Sequence, residues 1–360
     1  MKRLIALALV PLVPFALSAQ TSNRPADTPR ATPNEPASIA WPAITITPRS
    51  SGMLAPVQPP SQNRRRRRGS MVGYIADSDI GSKLRFRADA GFGMDTPDRA
   101  EFFYAKCGCY RDIAGDAAFD PDAPGPGPGI VTDMNFKQLY VHAEYAPTTR
   151  LSVFAVVPVR WIQPQAFDAA PPGSFENHGG LGDVQAGVKF ALMDTPTSTV
   201  TLQLQGYFPT GEASKGLGTD HASVEPALLV SYRMSDRLAV EGQLGDWHPI
   251  GGSAGVPTTS SDKFAGDVLF YGIGPSYELY RSYNDDWTFT PVVELVGWRV
   301  LNGFQTSATG DASGTNIVNL KAGARIGWRD EASLYIGYGQ ALTTASWYDN
   351  IVRVEYRVVF

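Results

Sequence analysis

The sequence predicts an all-β protein: a 12-stranded antiparallel transmembrane β-barrel carrying a disordered N-terminal arm. Three observations carry that reading. Segments of ten or more residues recur in which apolar and polar residues alternate, the connections between them alternate short and long, and aromatic residues gather near segment ends. Composition agrees. Gly (36), Phe (17), Tyr (15) and Trp (7) are plentiful in 360 residues, while long Ala/Leu/Glu/Lys runs are absent, which favours strands over helices. A net charge of −4 is too small to suggest a nucleic-acid partner.

In chain order, Met1-Lys2-Arg3 is a short basic region, Leu4 to Leu17 an apolar one, and Ser18 and Ala19 are small. Residues 1–19 therefore read as a secretory signal peptide. No Cys follows for lipid attachment, and no other stretch approaches the ~18 apolar residues of a transmembrane helix. Residues 20–75 read as a disordered Pro-rich linker, rich in Pro, Ser, Thr, Ala and Asn and without apolar period, which buries too little to offset its ordering entropy. It contains Arg64, Arg65, Arg66, Arg67 and Arg68 in a row. Three readings stay open for this tract: a solvated charge run, contact with an anionic surface, or a plug entering the barrel mouth.

Residues 76–360 read as the barrel. In KLRFRADAGF, Leu84, Phe86, Ala88, Ala90 and Phe92 share one face and Lys83, Arg85, Arg87 and Asp89 the other, a strand with one apolar and one charged side. QLYVHAEY opposes Leu139, Val141, Ala143 and Tyr145 to Gln138, Tyr140, His142 and Glu144; DVQAGVKFAL opposes Val184, Ala186, Val188, Phe190 and Leu192 to Asp183, Gln185 and Lys189. Twelve such segments are found, near 82–94, 133–146, 149–163, 179–193, 198–209, 221–234, 237–247, 263–280, 287–301, 315–328, 332–342 and 350–360. The seventh, eighth and eleventh have less clean registers, where bulges are expected.

Short connections (146–150, 194–199, 234–237, 281–286, 329–331) alternate with long ones (95–132, 164–178, 210–220, 248–262, 302–314, 343–349). A soluble sandwich has no reason to obey this rule, whereas outer-membrane barrels have short periplasmic turns, longer outer loops and an even strand number. Strands of this length also match the ~9–11 residues that cross a bilayer at a tilt. Tyr145, Trp161, Phe190, Tyr232, Tyr277, Trp287, Trp328 and Tyr356 lie near segment ends, where rings with one wet edge settle at the headgroups. The last segment sets Val352, Val354, Tyr356, Val358 and Phe360 on the outward face. Its pairing with the first would remove both sheet edges. Tyr356 and Phe360 look like the C-terminal insertion signal of outer-membrane barrels, which implies the barrel-assembly machinery and the lipid bilayer as partners.

With the polar face turned inward, the lumen receives Lys83, Arg85, Arg87, Lys321, Arg325, Arg353 and Arg357 from strands one, ten and twelve, His142 from strand two, and Glu225, Glu241 and Glu294 from strands six, seven and nine. One wall is thus expected to be basic and the opposite one mostly acidic. The groups could pair across a narrow lumen and hold it shut, or set a transverse field that orients a polar or anionic solute. A twelve-stranded barrel lies between filled small barrels and wide porins, so strand number does not decide. The four histidines, His142, His178, His221 and His248, show no metal-ligand spacing, and no metal or cofactor is expected. His221-Ala222-Ser223 continues Val224-Glu225 and departs from the His-x-Ser-Asn-Gly motif of the twelve-stranded outer-membrane phospholipases. Cys107 and Cys109, in the first long loop, are a disulfide candidate, although a bridge across one residue is strained and a labile or metal-bound pair stays open.

GGLGDVQAGVKFAL (179–192), GYFPTGEASKGLG (206–218) and SYRMSDRLAVEGQLG (231–245) follow in that order. This arrangement resembles the outer-membrane transporter family associated with the meta-pathway of phenol degradation, over roughly residues 80–360 and best over 179–250. The motif positions here are Gly180, Gly182 and Asp183 at a strand start, Pro209, Thr210 and Gly211 at a loop entry, and the 231–237 hairpin. The resemblance implies a bacterial outer-membrane barrel, leaves the solute open, and includes neither the arginine tract nor the Cys pair. In physical terms the glycines permit a sharp turn, Asp183 then faces the lumen, and Pro209 ends a strand at the rim. The resulting expectation is an outer-membrane channel for passive uptake of small organic solutes, aromatic or anionic. The alternatives are a non-conducting structural or surface-interaction barrel and, third, an outer-membrane hydrolase.

Overall fold

A computed structural model describes residues 69–94, 130–168, 177–212, 215–219, 221–250, 266–284, 286–302 and 313–360. The segments expected to be a signal peptide and a linker, up to residue 68 with its five arginines, and Cys107 and Cys109 lie outside the described residues. The described chain is all-β. Its strands are β1 (Lys83–Met94), β2 (Ile130–Tyr145), β3 (Leu151–Asp168), β4 (His178–Leu181), β5 (Val184–Asp194), β6 (Ser198–Phe208), β7 (Ala222–Arg233), β8 (Leu238–Ile250), β9 (Val268–Tyr277), β10 (Tyr280–Arg281), β11 (Trp287–Val300), β12 (Asn316–Trp328), β13 (Ala332–Ala341) and β14 (Asn350–Val359). β4 and β5 are two parts of one wall strand broken at Gly182-Asp183, and β9 and β10 are two parts of another. The wall therefore has the twelve strands the alternation predicts.

All neighbours are antiparallel in a single sheet, closed by β14 pairing with β1 in unbroken register from Lys83 opposite Val359 to Phe92 opposite Asn350. Closure leaves no edge in lipid. The expected irregularities fall partly elsewhere. Of the three segments, the eighth is irregular: Ser276 faces Val292 but Tyr280 faces Phe289, a slip of one residue. β8 and β13 keep constant register, and bulges lie instead at Gly91–Met94, Val131–Met134 and Ala191–Met193. Tight turns join strands at the end of the barrel that carries Lys83 and Val359. One of them, Arg329-Asp330, has both residues at positive φ (51° and 59°), the primed turn that matches strand twist.

Inside and outside follow the two-residue period. Val352, Val354 and Tyr356 are exposed while Ile351, Arg353, Glu355 and Arg357 are buried. Tyr145, Phe190, Tyr232, Tyr277, Trp287 and Tyr356 point outward near the tight-turn end, with Trp161, Phe92, Phe208 and Tyr338 outward toward the other. Trp287 and Trp328 form an edge-to-face pair at 5.1 Å. These rings bound an apolar band, the arrangement of an outer-membrane barrel.

The interior is filled from both ends. Residues 69–82 precede β1, adopt no strand, and lie inside the barrel, with Val72, Ile75, Asp77 and Ser78 almost wholly buried. Composition assigns Ser70–Ile75 to the disordered linker, but the lumen supplies partners that make the segment ordered. From the long-loop end, Trp347 and Tyr348 turn inward and join Met94, Met134, Phe136, Ile162, Val268, Ile317 and Ile351 in an apolar cluster.

Candidate functional site

The lumen holds the segment 69–82 by its backbone. Glu294 on β11 accepts three successive N–H groups, from Gly73 (3.1 Å), Tyr74 (2.8 Å) and Ile75 (2.8 Å). Glu241 on β8 accepts those of Met71 (2.8 Å) and Val72 (3.4 Å), and Gln243 accepts that of Ala76 (2.8 Å). Cations and a hydroxyl on other wall strands donate to the carbonyls. Arg325 reaches Val72 O (2.8 Å), Arg353 reaches Gly73 O (2.7 Å) and Arg357 reaches Ser70 O (2.9 Å). Lys189 reaches Asp77 O (2.8 Å) and Thr201 reaches Ser78 O (2.6 Å). A backbone without a ladder needs such partners, because buried unpaired amides are costly. Charged partners make the stronger bonds.

Side chains of the segment add to this grip. The Tyr74 ring lies between two cations, Lys321 Nζ at 4.0 Å and Arg353 Cζ at 4.1 Å from its centroid, a double cation–π contact. Asp77 pairs with Lys83 at 2.6 Å and Arg357 at 3.4 Å. Val72 and Ile75 pack on Val292, Val296 and Tyr335.

The walls are not segregated into one basic and one acidic side. Acidic groups stand among the cations of the closure: Asp89 pairs with Arg353 (2.7 Å), Glu355 with Arg325 (3.0 Å) and Arg357 (2.9 Å), and Glu144 with Lys189 (3.1 Å). Ser152 donates to the other Glu144 oxygen at 2.7 Å. Alternation places Asp89 and Glu355 inward beside the named arginines, so their position was available from sequence. Their pairing depends on register, which was not.

Between the segment and the inward loop lies a cavity of about 190 Å³, lined by the named residues Arg85, Arg87, His142, Glu225, Lys321 and Arg353, among others. Tyr207 donates to Glu225 at 2.5 Å, and Lys321 donates to the Tyr348 hydroxyl at 2.7 Å. The cavity wall also carries Phe154, Trp247, Phe270 and Trp298, inward aromatics that the charge map passed over. Tyr74, Asp77 and Trp347 gave no periodic signal, since they lie outside the strands.

The Gly-Leu-Gly-Asp and Pro-Thr-Gly residues form a clasp at the long-loop end. Asp183, expected to face the lumen, is buried and binds the loop after β6. Its Oδ1 accepts the Gly211 N–H (3.0 Å), and its Oδ2 accepts the Thr219 N–H and hydroxyl (both 2.8 Å). Thr210 donates its hydroxyl to Gly182 O at 2.8 Å and accepts the Val184 N–H at 2.9 Å. A Cβ on Gly211 would meet Leu217 O at 2.5 Å, one on Gly182 the Pro158 ring at 3.1 Å, and one on Gly180 Leu217 Cδ1 at 2.9 Å. Pro209 follows the end of β6 without a ladder bond to lose.

The remaining histidines are dispersed. His221 shares a 2.8 Å hydrogen bond with the Thr219 carbonyl, and His178 opens β4. His248 meets Asp267, and the fold brings Asp246 to the pair with ligand atoms within 4.8 Å of one another. Asp246 and His248 alternate on one strand, but Asp267 comes from the next, so spacing alone did not group them. Tyr356 is exposed on the outer wall, and Phe360 is exposed at its end, its N–H bonded to Ser82 O at 3.1 Å.

These features define the class: a closed twelve-stranded outer-membrane β-barrel with an internally bound N-terminal segment. The family model described as "Putative MetA-pathway of phenol degradation" matches residues 118–245, the family that the 179–250 motifs resemble. Among solved structures, an outer membrane channel from Pseudomonas putida F1 aligns at 12% identity and TM-score 0.51, over 79% of this chain and 99% of that one. The β domain of the Bordetella autotransporter BrkA aligns at 11% identity and TM-score 0.44, over 78% of this chain and 100% of that one. The KdgM porin aligns at 10% identity and TM-score 0.37, over 77% and 99%. No curated protein matches the sequence. The likeness to the Pseudomonas channel is one of fold, and the chain is a protein of the bacterial outer membrane.

Proposed function

We propose that the barrel is a channel for passive uptake of small organic solutes, aromatic or anionic, and that residues 69–82 must leave their seat for solute to pass. The observation that carries this reading is the manner of that seating. The segment joins no strand and is held by side chains of the wall, as a ligand is, so it can leave without breaking a ladder. The polar, cation-rich lining beyond it suits a solute path, and no cofactor is needed for diffusion. In the same reading the bilayer and the barrel-assembly machinery are its partners, Tyr356 and Phe360 serve insertion, and Arg64 to Arg68 meet an anionic surface.

The filled lumen favours a second reading, a non-conducting barrel whose work is done at its loops. Planar-bilayer conductance of the mature chain, and of a Glu241→Ala/Glu294→Ala variant that removes the acceptors for five N–H groups, separates the two. Ohmic steps from either support the channel. Steps from the variant alone assign closure to the segment. Silence from both, with the proteins folded, rejects the channel in favour of the closed barrel.

A further inference from the structure

The five lumenal arginines Arg85, Arg87, Arg325, Arg353 and Arg357 named from the sequence are not equivalent. Arg325 and Arg353 each engage a carbonyl of the segment and a carboxylate of the wall, and Arg357 binds Ser70 O and Glu355. Each of the three thus has both a carboxylate and a carbonyl of its own, although Arg357 Nε is left without an acceptor. Arg85 differs. Its guanidinium meets the imidazole of His142, with Nη2 at 2.8 Å from Nδ1, and its Nε is out of solvent with no acceptor. Among the described residues no carboxylate stands within ion-pairing distance of it. Arg87 has an ion pair with Asp89 but no hydrogen bond to it. Arg353 has claimed Asp89 in a two-pronged pair, which leaves Arg87 Nε at 3.3 Å from Asp89 Oδ2 without hydrogen-bond geometry. Its guanidinium lies 3.6 Å above the Tyr140 ring.

Both side chains line the same cavity, next to each other on the inward face of β1. A buried guanidinium without an anion is expensive. The acids that line the cavity are engaged by other groups, Asp77 with Lys83 and Arg357, Glu225 with Tyr207, and Glu355 with Arg325 and Arg357, so neither guanidinium has a hydrogen-bonded carboxylate of its own. The surroundings say what else the site accommodates. His142 and Phe154 stack at 5.3 Å with an interplanar angle of 9°, and Tyr140, Phe154 and Val156 offer a flat apolar wall beside the two arginines. The volume, about 190 Å³, is below the ~300–1,000 Å³ of sites for drug-sized ligands. We propose that Arg85 and Arg87 form a binding subsite for the carboxylate of a small organic anion, whose apolar body lies against Tyr140, Phe154 and Val156. Arg325, Arg353 and Arg357 hold the segment and are not part of it. This rests on the solute-path reading of the lumen but makes its own claim about affinity, which conductance does not decide.

The test uses the full mature chain in detergent micelles and reads the fluorescence of the cavity tryptophans Trp247, Trp298 and Trp347 against benzoate and its neutral isostere benzamide. A site built for a charged partner rejects the analogue that leaves its donors unpaired, so benzoate is expected to bind at least about tenfold more tightly than benzamide. Arg85→Gln should weaken benzoate about tenfold and leave benzamide within about twofold, Arg85→Lys should restore part of the loss, and Arg329→Gln, in an exposed turn, should change neither. Equal affinities for the two probes, absence of a saturable benzoate response, or an Arg85→Gln variant that binds benzoate as before each overturns the subsite. If Arg85→Gln does not fold, the ratio of the two probes on the native chain decides alone. Benzoate binding in a barrel that stays silent in bilayers would remove the channel and keep the subsite, whereas conductance without benzoate binding would do the reverse.

Discussion

Arg353 and Asp89 face each other across the β14–β1 seam and meet in a two-pronged ion pair, Nε to Oδ1 at 2.7 Å and Nη2 to Oδ2 at 2.8 Å. The third guanidinium nitrogen donates to Gly73 O. One arginine therefore joins the first strand, the last strand and the internal segment. Breaking a buried pair by removing one partner costs about 3–5 kcal/mol, because a charge is left alone, while replacing both with apolar groups is often neutral. Asp89→Ala should therefore lower the temperature at which the folded barrel is lost, and Asp89→Leu/Arg353→Met should recover much of that loss. A double-mutant cycle on thermal unfolding in detergent checks this; additive losses would mean that the two side chains do not act as a pair.

How much of this seam the sequence reveals can be stated residue by residue. The alternation in Asn350–Val359 places Val352, Val354 and Tyr356 outward and Arg353 and Arg357 inward, and the structure agrees. Period two is a local property, and the wall residues outside the bulges and strand breaks follow it because one side of the wall meets lipid. The partners of residues 69–82 are different. Gly73 bonds to Glu294, 221 positions away, and Ser70 to Arg357, 287 positions away. Such contacts follow from ring closure and leave no pattern in the segment, so its composition reads as linker. The clasp of Asp183 is hidden for the same reason: its partner Thr219 lies 36 residues on, in a loop without period.

Tyr74 gives the most direct handle on the segment without touching a carboxylate. Its ring lies between Lys321 and Arg353, and a desolvated cation–π contact contributes roughly 1–2 kcal/mol. Tyr74→Ala should shift the seated-to-released equilibrium about tenfold toward release, since 1.4 kcal/mol is a factor of ten, and Tyr74→Phe should keep most of the native value. Single-channel open probability reads this. An unchanged value in Tyr74→Ala would deny the ring a part in seating the segment.

The Asp183 clasp should be separable from barrel stability. Its carboxylate holds the N–H groups of Gly211 and Thr219, and hydrogen bonds to a charged group contribute about 1.5–3 kcal/mol. Asp183→Ala should speed amide hydrogen exchange at Gly211 and Thr219 by one to two orders of magnitude, roughly as that energy dictates. The β14–β1 ladder should stay protected. Gly218→Ala should act in the same direction, because its Cβ would stand 2.5 Å from Asp183 Oδ1 and 2.8 Å from Gly211 O. Loss of protection throughout the barrel in either variant would make the clasp a condition of folding and not a local fastening.

Charge reversal distinguishes the arginines by role. Arg325, Arg353 and Arg357 are committed to Glu355, Asp89 and the carbonyls of the segment, so reversal at any of them sets like charges together in a buried place and should cost folding before it alters selectivity. Arg85 and Arg87 border the cavity without hydrogen bonds to a carboxylate, so Arg85→Glu/Arg87→Glu should leave a folded barrel whose path has lost two positive charges and gained two negative ones. The reversal potential in a KCl gradient, measured on a background that already carries Tyr74→Ala to favour release, should then move from anion-preferring toward cation-preferring. The shift should shrink as salt rises from about 0.1 M to 1 M, where the Debye length falls from roughly 10 Å to 3 Å. An unchanged reversal potential in a conducting, folded variant would place the selectivity of the path elsewhere than at Arg85 and Arg87.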